Sequence, residues 1–228
     1  MRRIKKWIFS GFVLACFSAY PLLTLAETEP MPPAKTVDFE LEIASQNARQ
    51  VANWIINSGD NHRLPFMIID KTNAKVFVFN ANGQLRGAAA VLLGLSRGDD
   101  ATPGIGLKKL ANIPPVERTT PAGRFVAALD HNLQGEEILW VNYDTGISLH
   151  RVHTQNRKAQ RGQRLSSITP LDNRISFGCI NVPVLFYLDI VSPAFTGTNG
   201  VVYVLPEVHS LYEVFGFPVV VKVPKLNP

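Results

Sequence analysis

The sequence predicts one mainly-β domain with a few peripheral helices. Short apolar or alternating runs are separated by turn residues, and Asn82-Gly83 is a strong signal for a tight hairpin. No Pro/Ser/Gly-rich linker and no internal repeat divides residues 39–228. Of the 228 residues, 46% are hydrophobic and 18% are charged, which suffices for a buried core and excludes general disorder.

The first predicted element is an amphipathic helix over 39–57, which ends at Ser58-Gly59. Its apolar residues recur at helical spacing, and Trp54 is expected in the core. The residues that define this apolar stripe are Leu41, Ala44, Ala48, Val51, Ala52 and Ile55.

Strands dominate the rest of the chain. They are predicted at 66–70, 75–79, 84–93, 123–129, 138–143, 146–152, 200–205 and 219–223. A short helix is predicted over 183–190, with Pro183 suited to its first turn. Two long irregular loops, 94–120 and 154–174, remain, and long loops inside a compact domain are often functional.

The first 26 residues have the pattern of a secretory signal peptide. Four basic residues before Trp7 precede an apolar run from Ile8, and small residues lead to an expected cleavage after Ala26. The alternative is an uncleaved anchor, because the apolar run is nearly long enough to span a bilayer. Residues 27–38, with three prolines, are interpreted as a flexible lead-in to a single domain over 39–228.

Cleavage would change both the charge and the cysteine count. It removes four of the 23 Lys and Arg and none of the 18 acids, so the mature chain carries 19 basic against 18 acidic residues. A nucleic-acid partner is therefore not expected. Cleavage also removes Cys16 and leaves Cys179 alone, in a compartment where disulfides form readily. A buried, inert cysteine is the alternative to a reactive one.

The segment around Cys179 is the most informative in the chain. Gly178 permits a tight turn beside the thiol, and the N–H groups of such a turn can face a developing oxyanion. A catalytic thiol needs a nearby base or positive field. His150, 29 residues upstream on a predicted strand, is the preferred base. His153 is the rival, and its side chain would point to the opposite face if the strand continued.

These residues resemble the signature of the YkuD-type L,D-transpeptidase family. The resemblance rests on Leu149-His150, on the segment from Ser176 to Asn181, and on Thr120-Pro121-Ala122-Gly123-Arg124-Phe125, and it covers roughly 64–204. It implies a mixed β-sandwich of the L,D-transpeptidase catalytic type. It also implies Cys179 as nucleophile, His150 as base and Gly178 in the catalytic turn.

Two positions and the length of one segment depart from the family pattern. Phe177 stands where the family usually has His, and Arg151 replaces the small residue that commonly follows the catalytic His. The third, orienting member of the catalytic group therefore stays open, with a backbone carbonyl as one candidate. The spacer between His150 and Cys179 is also longer than usual, and its extra length falls in 155–174.

Several polar residues near the signature have two interpretations. Five basic residues lie on or near the long spacer: Arg151, Arg157, Lys158, Arg161 and Arg164. They either form an ordinary solvated surface or attract the carboxylates of a substrate. Ser176 and Asn181 either bind substrate or fix the turn. Arg174 meets either a substrate carboxylate or an acid of the protein itself.

The resemblance implies an exported enzyme of the periplasm or cell envelope that acts in cell-wall biogenesis. Its thiol would be acylated by a peptidoglycan tetrapeptide stem and would pass the acyl group to an amine, of another stem or of a wall-linked protein. The alternatives are a carboxypeptidase or amidase that hydrolyses the same thioester, and a non-catalytic wall-binding module. No residues have zinc-site spacing and no phosphate-binding glycine loop occurs, so neither a metal nor an organic cofactor is expected.

Overall fold

An eight-stranded mixed sheet organises residues 34–216, the part of the chain that the computed structural model describes. The strands are β1 Phe66–Asp70, β2 Lys75–Phe79, β3 Leu85–Ala90, β4 Leu93–Gly94, β5 Gly123–His131, β6 Glu137–Asn142, β7 Ile147–Arg151, β8 Arg174–Ser176, β9 Ile180–Val182 and β10 Gly200–Val204. The sheet order is β3-β2-β1-β10-β5-β6-β7-β9, and β4 pairs with β8 in a separate two-stranded sheet. The predicted signal peptide and the predicted strand at 219–223 lie outside the described residues.

The long strand β5 divides the sheet into two halves that pack on each other. Its first part pairs with β10 and its second part with β6. One buried cluster contains residues from both halves, among them Met67, Val76 and Val202 from the first and Leu139 and Ile180 from the second. The prediction of a mainly-β, mixed sandwich is confirmed.

Helix α1, Gln46–Ser58, covers the other face of the first half. The predicted start at residue 39 is wrong, because the Ser45 hydroxyl accepts a hydrogen bond from the Ala48 N–H and begins the helix there. Leu41 is therefore fully exposed, whereas Phe39 packs edge-on against aromatic rings of β2. The predicted end is confirmed, since Gly59 caps the helix with a left-handed backbone.

The helical segment after Pro183 is longer than predicted. It consists of α3 (Val184–Phe186), a π-helical turn (Tyr187–Val191) and α4 (Ser192–Phe195). Tyr187, Val191 and Phe195 recur every four residues and are all buried in the main core, so packing carries the helix past residue 190. Two further short helices are α2 (Arg161–Leu165) and α5 (Leu211–Phe215). Among the described residues, no helix is both long and apolar enough to cross a membrane.

The loop over 94–120 is irregular, as predicted, and a buried charge cluster ties it to β1. The Lys71 ammonium, 1% exposed, donates to the carbonyl oxygens of Gly98 (2.6 Å) and Thr120 (3.0 Å) and pairs with the Asp99 carboxylate (2.7 Å). Burial lowers the pKa of Lys71, and the carboxylates of Asp99 and Glu207 oppose that effect. The end of the loop is thereby held in a defined position.

Candidate active site

The turn that carries Cys179 is locked by hydrogen bonds within the protein. The Ser176 hydroxyl accepts from the Gly178 N–H (3.0 Å) and donates to the Cys179 carbonyl (2.6 Å). The Thr120 hydroxyl donates to the Gly178 carbonyl (2.7 Å) and accepts from the Gly94 N–H (2.8 Å). Of the two interpretations of Ser176, its hydrogen bonds match turn fixation.

Glycine is required at position 178. Its φ is +128°, and a Cβ there would lie 2.8 Å from the Thr119 carbonyl oxygen and 2.7 Å from Ile147 Cδ1. The backbone thus approaches more closely than any L side chain allows. This close approach brings the turn against the strand β7.

The thiol of Cys179 is partly buried at the end of β7. The Ser148 hydroxyl donates to Sγ over 3.6 Å, and the thiol lies 3.7 Å from the carbonyl oxygen of Gly146. Strands β7 and β9 run parallel, with His150 opposite Asn181, so the same register places Ser148 opposite Cys179. Ser148 and His150 are two residues apart on one strand and share a face.

His150 therefore lies diagonally across from the thiol. With strands about 4.8 Å apart and a rise of about 3.3 Å per residue, the two Cα atoms are about 8 Å apart. In the part of the chain that the structure describes, no hydrogen bond joins the imidazole directly to Sγ. The structure thus places the predicted base on β7 and the predicted nucleophile just before the neighbouring strand β9, on one face of the sheet.

The hydrogen bonds of His150 define its tautomer. Nδ1 lies 2.8 Å from the carbonyl oxygen of Arg151, and a carbonyl only accepts, so Nδ1 carries the proton. Nε2 is left with a lone pair, as a general base requires. Burial lowers the pKa of His150 below its ordinary value, and the hydrogen bond to the Arg151 carbonyl and the Glu136 carboxylate only partly oppose that effect, so the neutral ring predominates at pH 7. The Arg151 carbonyl is thus the group that orients the imidazole in the structure.

Asn181 lies between His150 and a second segment of the protein, the long basic loop. Its side-chain N–H₂ group donates to His150 Nε2 (3.2 Å) and approaches the Cys179 carbonyl (3.5 Å). Its oxygen accepts from Arg161 Nη1 (2.6 Å). The amide is 1% exposed and connects the imidazole to the long basic loop.

His153 lies beside His150 rather than on the opposite face. The expected alternation fails because β7 ends at Arg151, and the two imidazole centroids are 5.2 Å apart. His153 Nε2 is 3.3 Å from the Glu136 carboxylate, so this alternative histidine contacts an acidic side chain of the protein.

Two of the predicted substrate-binding arginines contact acids of the protein itself. Arg151 contacts one oxygen of the Glu136 carboxylate, Oε1, through both Nε (3.0 Å) and Nη2 (2.9 Å), and its guanidinium lies over the Tyr187 ring. Arg174 pairs with Glu207 (2.7 Å) and donates to the Lys71 carbonyl (3.0 Å). For Arg174, these contacts match the interpretation in which it meets an acid of the protein.

Phe177, which stands at the usual histidine position, supports a cation. The Arg118 guanidinium lies over its ring at 3.9 Å from the centroid, and Arg118 Nε donates to the Ile113 carbonyl (3.0 Å). The ring thus fixes the loop over 94–120 beside the turn that carries Cys179, through a cation–π contact.

Ser148 and Arg161 reach the site without having been singled out as site residues. Ser148 was detectable as the residue two before His150, on the same strand face. Arg161 belongs to the basic loop, but only the fold reveals that it contacts Asn181. Among residues 34–216, no group of three or more His, Cys, Asp or Glu side chains is arranged to hold a metal ion.

Several solved structures that match this chain are L,D-transpeptidases. A crystal structure of the Enterococcus faecium L,D-transpeptidase is 18% identical, with 62% of this chain and 49% of that chain covered and a TM-score of 0.35. The catalytic domain of an E. faecium L,D-transpeptidase is 15% identical, with 62% and 96% covered and a TM-score of 0.38. The helical cell shape determining protein Pgp2 from Campylobacter jejuni is 17% identical, with 63% and 48% covered and a TM-score of 0.39.

The chain spans about half the length of the full E. faecium and C. jejuni chains that it matches. No protein-family model and no curated protein sequence matches the chain.

Proposed function

We propose that this protein is a cysteine L,D-transpeptidase that acts on peptidoglycan stem peptides in the cell envelope. The observation that carries the proposal is the placement of His150 on β7 and of Cys179 directly before the neighbouring parallel strand β9, with the Nε2 lone pair on the face of the thiol. The order of the histidine, the glycine turn and the cysteine along the chain supports the same family.

The first half of the reaction forms a thioester. His150 Nε2 takes the proton from Cys179 Sγ, and the thiolate attacks the carbonyl carbon of the dibasic residue in the tetrapeptide stem. Because the Gly178 N–H is bound to Ser176, the N–H of Cys179 is the donor that we assign to the oxyanion. The tetrahedral intermediate collapses, the C–N bond breaks, and the protonated His150 gives its proton to the departing terminal D-amino acid.

The second half transfers the acyl group. An amine of another stem, or of a wall-linked protein, attacks the thioester carbonyl and loses a proton to His150. The C–S bond then breaks and the thiolate regains the proton. No redox step occurs, and the catalytic groups are side chains and backbone of this chain.

Ser148 is proposed to position the thiol. Its hydroxyl donates to Sγ, so it stabilises the thiolate as the proton leaves for His150. Hydrogen bonds to a catalytic base are often long in a free enzyme and shorten in the substrate complex. Direct contact between Sγ and Nε2 then requires Asn181 to release the imidazole.

Incubation of residues 27–228 with purified disaccharide tetrapeptides tests the function. Mass spectrometry of the products is expected to show cross-linked dimers, and Cys179→Ser is expected to abolish them while the fold is retained. Shortened stems alone would instead establish hydrolysis. Full turnover by Cys179→Ser would refute the proposal. The absence of any product, together with the absence of an adduct on Cys179 from either the stem or a carbapenem, would also refute it and would favour a non-catalytic wall-binding module.

A further inference from the structure

Asn181 occupies the lone pair that His150 needs as a base. The orientation of the amide follows from its other partner, because a guanidinium only donates and Asn181 Oδ1 is therefore the atom that faces Arg161. The N–H₂ group must then point to His150 Nε2, which accepts the hydrogen bond over 3.2 Å. While this bond is formed, the lone pair is not available to the Cys179 thiol.

Arg161 holds Asn181 in that orientation. The bond between Arg161 Nη1 and Asn181 Oδ1 is short, at 2.6 Å, and one partner is charged, so it is stronger than a bond between neutral groups. Asn181 is almost fully buried, so little solvent competes for its amide. Rotation of the amide away from His150 therefore requires a better partner for the guanidinium.

Arg161 is placed where a carboxylate can reach it. It begins helix α2 and lines a cavity of about 350 Å³ together with Gln160 and Gln163. From Thr145 to Leu171 the sequence contains neither Asp nor Glu. The helix is anchored separately, since Arg164 donates to the carbonyl oxygens of Ala159 and Asp172. A ligand can thus bind Arg161 without displacing the loop.

We propose that Arg161 is a specificity-determining residue, which selects a donor with a free carboxylate beside the reacting carbonyl and releases the base when that carboxylate binds. The inference rests on the proposed function and narrows its substrate class. The incoming carboxylate replaces Asn181 as the partner of the guanidinium, with two-pronged geometry available to it. Asn181 then releases His150 Nε2, which accepts the thiol proton.

Two measurements on the full mature chain test this inference. The first is the rate of Cys179 acylation by a stem tetrapeptide with a free terminal carboxylate, compared with the same peptide as its C-terminal amide. The second is the rate of Cys179 alkylation by iodoacetamide without substrate, in which Sγ displaces iodide and the thiol proton passes to His150 or solvent. The variants are Arg161→Met, Asn181→Ala, Arg161→Lys and, as a charge-matched control in the same loop, Lys158→Met.

Arg161→Met is expected to lower the preference for the free carboxylate and to raise the rate of alkylation. A charge-assisted hydrogen bond corresponds to a factor of about ten, so the preference for the free carboxylate should fall about tenfold relative to wild type. Alkylation by iodoacetamide should become several-fold faster, in Arg161→Met and in Asn181→Ala, because His150 is released. Arg161→Lys should retain part of the preference, and Lys158→Met should leave both rates unchanged.

The inference is overturned if Arg161→Met keeps the preference for the free carboxylate over the amide, or if Lys158→Met loses that preference equally. It is also overturned if alkylation of Cys179 becomes slower in both Arg161→Met and Asn181→Ala. Those results would leave the proposed function intact, provided that the stem still acylates Cys179. If neither donor acylates the thiol while alkylation responds as expected, the proposed function fails but the restraint of His150 by Asn181 and Arg161 stands.

Discussion

Replacement of Gly178 by alanine should destabilise the protein through backbone strain and through a close contact with the backbone of Thr119. The positive φ costs an L residue about 1–3 kcal/mol. The new Cβ would also lie 2.8 Å from the Thr119 carbonyl oxygen, and relief of that overlap costs about another 1–3 kcal/mol because backbone must move. We expect Gly178→Ala to lower the free energy of unfolding by about 2–6 kcal/mol in chemical denaturation.

Gly135→Ala is the matched control for backbone strain. Gly135 also has a positive φ, +76°, but a Cβ there meets nothing within 4 Å. Gly135→Ala should lower the free energy of unfolding by about 1–2 kcal/mol, from backbone strain alone. If Gly178→Ala costs no more than Gly135→Ala, then the close approach to Thr119 does not hold the turn. Alkylation of Cys179 should also slow in the first variant and not in the second.

Three further predictions concern the thiol, the buried charge cluster and the base. Ser148→Ala removes the hydroxyl that donates to Cys179 Sγ and should slow acylation about tenfold, with stability changed by about 1 kcal/mol; unchanged acylation would exclude Ser148 as a positioning residue. Asp99→Asn removes the carboxylate that is hydrogen-bonded to the buried Lys71 ammonium and leaves the more distant Glu207, at 3.8 Å, so it should lower the free energy of unfolding by about 3–5 kcal/mol. Burial alone raises the pKa of Asp99, but hydrogen bonds from Lys71 and from three backbone N–H groups outweigh that effect and hold the pKa at about 2. The wild-type protein should therefore lose stability as the pH falls from about 4 toward 2. Asp99→Asn should lack that loss. Burial lowers the pKa of His150, so its imidazole should titrate below pH 6.5 when followed by NMR, and a midpoint above that value would contradict a buried, neutral imidazole.

Local patterns in the sequence were enough to locate most strands of the sheet. Alternation and turn residues identify β1 and β2, and Asn82-Gly83 marks the hairpin to β3, where Gly83 has a φ of +82°. The short strands β8 and β9 on either side of Cys179 were missed, because three residues are too few for a period-2 pattern. The parallel pairings β1/β10 and β7/β9 join distant segments and leave no local signal.

The sequence predicts those site residues whose side-chain type marks them as reactive. It does not predict those whose role depends on which partner the fold brings to them. A lone thiol after a glycine and a histidine on a strand single out Cys179 and His150 by type. The pairing of Arg151 with Glu136 and of Arg174 with Glu207 depends on the fold, as does the contact of Arg161 with Asn181. Arginines near a nucleophile are therefore poor guides to substrate binding until their acidic partners are known.

The activation of Cys179 by His150 can be tested directly with a stem tetrapeptide as donor. Intact-mass spectrometry then measures the adduct on Cys179 over time. Wild type should gain the mass of the stem minus its terminal amino acid, and His150→Gln should slow this gain at least a hundredfold, as loss of a general base does. His153→Gln should react almost as wild type does. Equal rates for wild type and His150→Gln, or an adduct on any other residue, would contradict the claim that this imidazole activates this thiol.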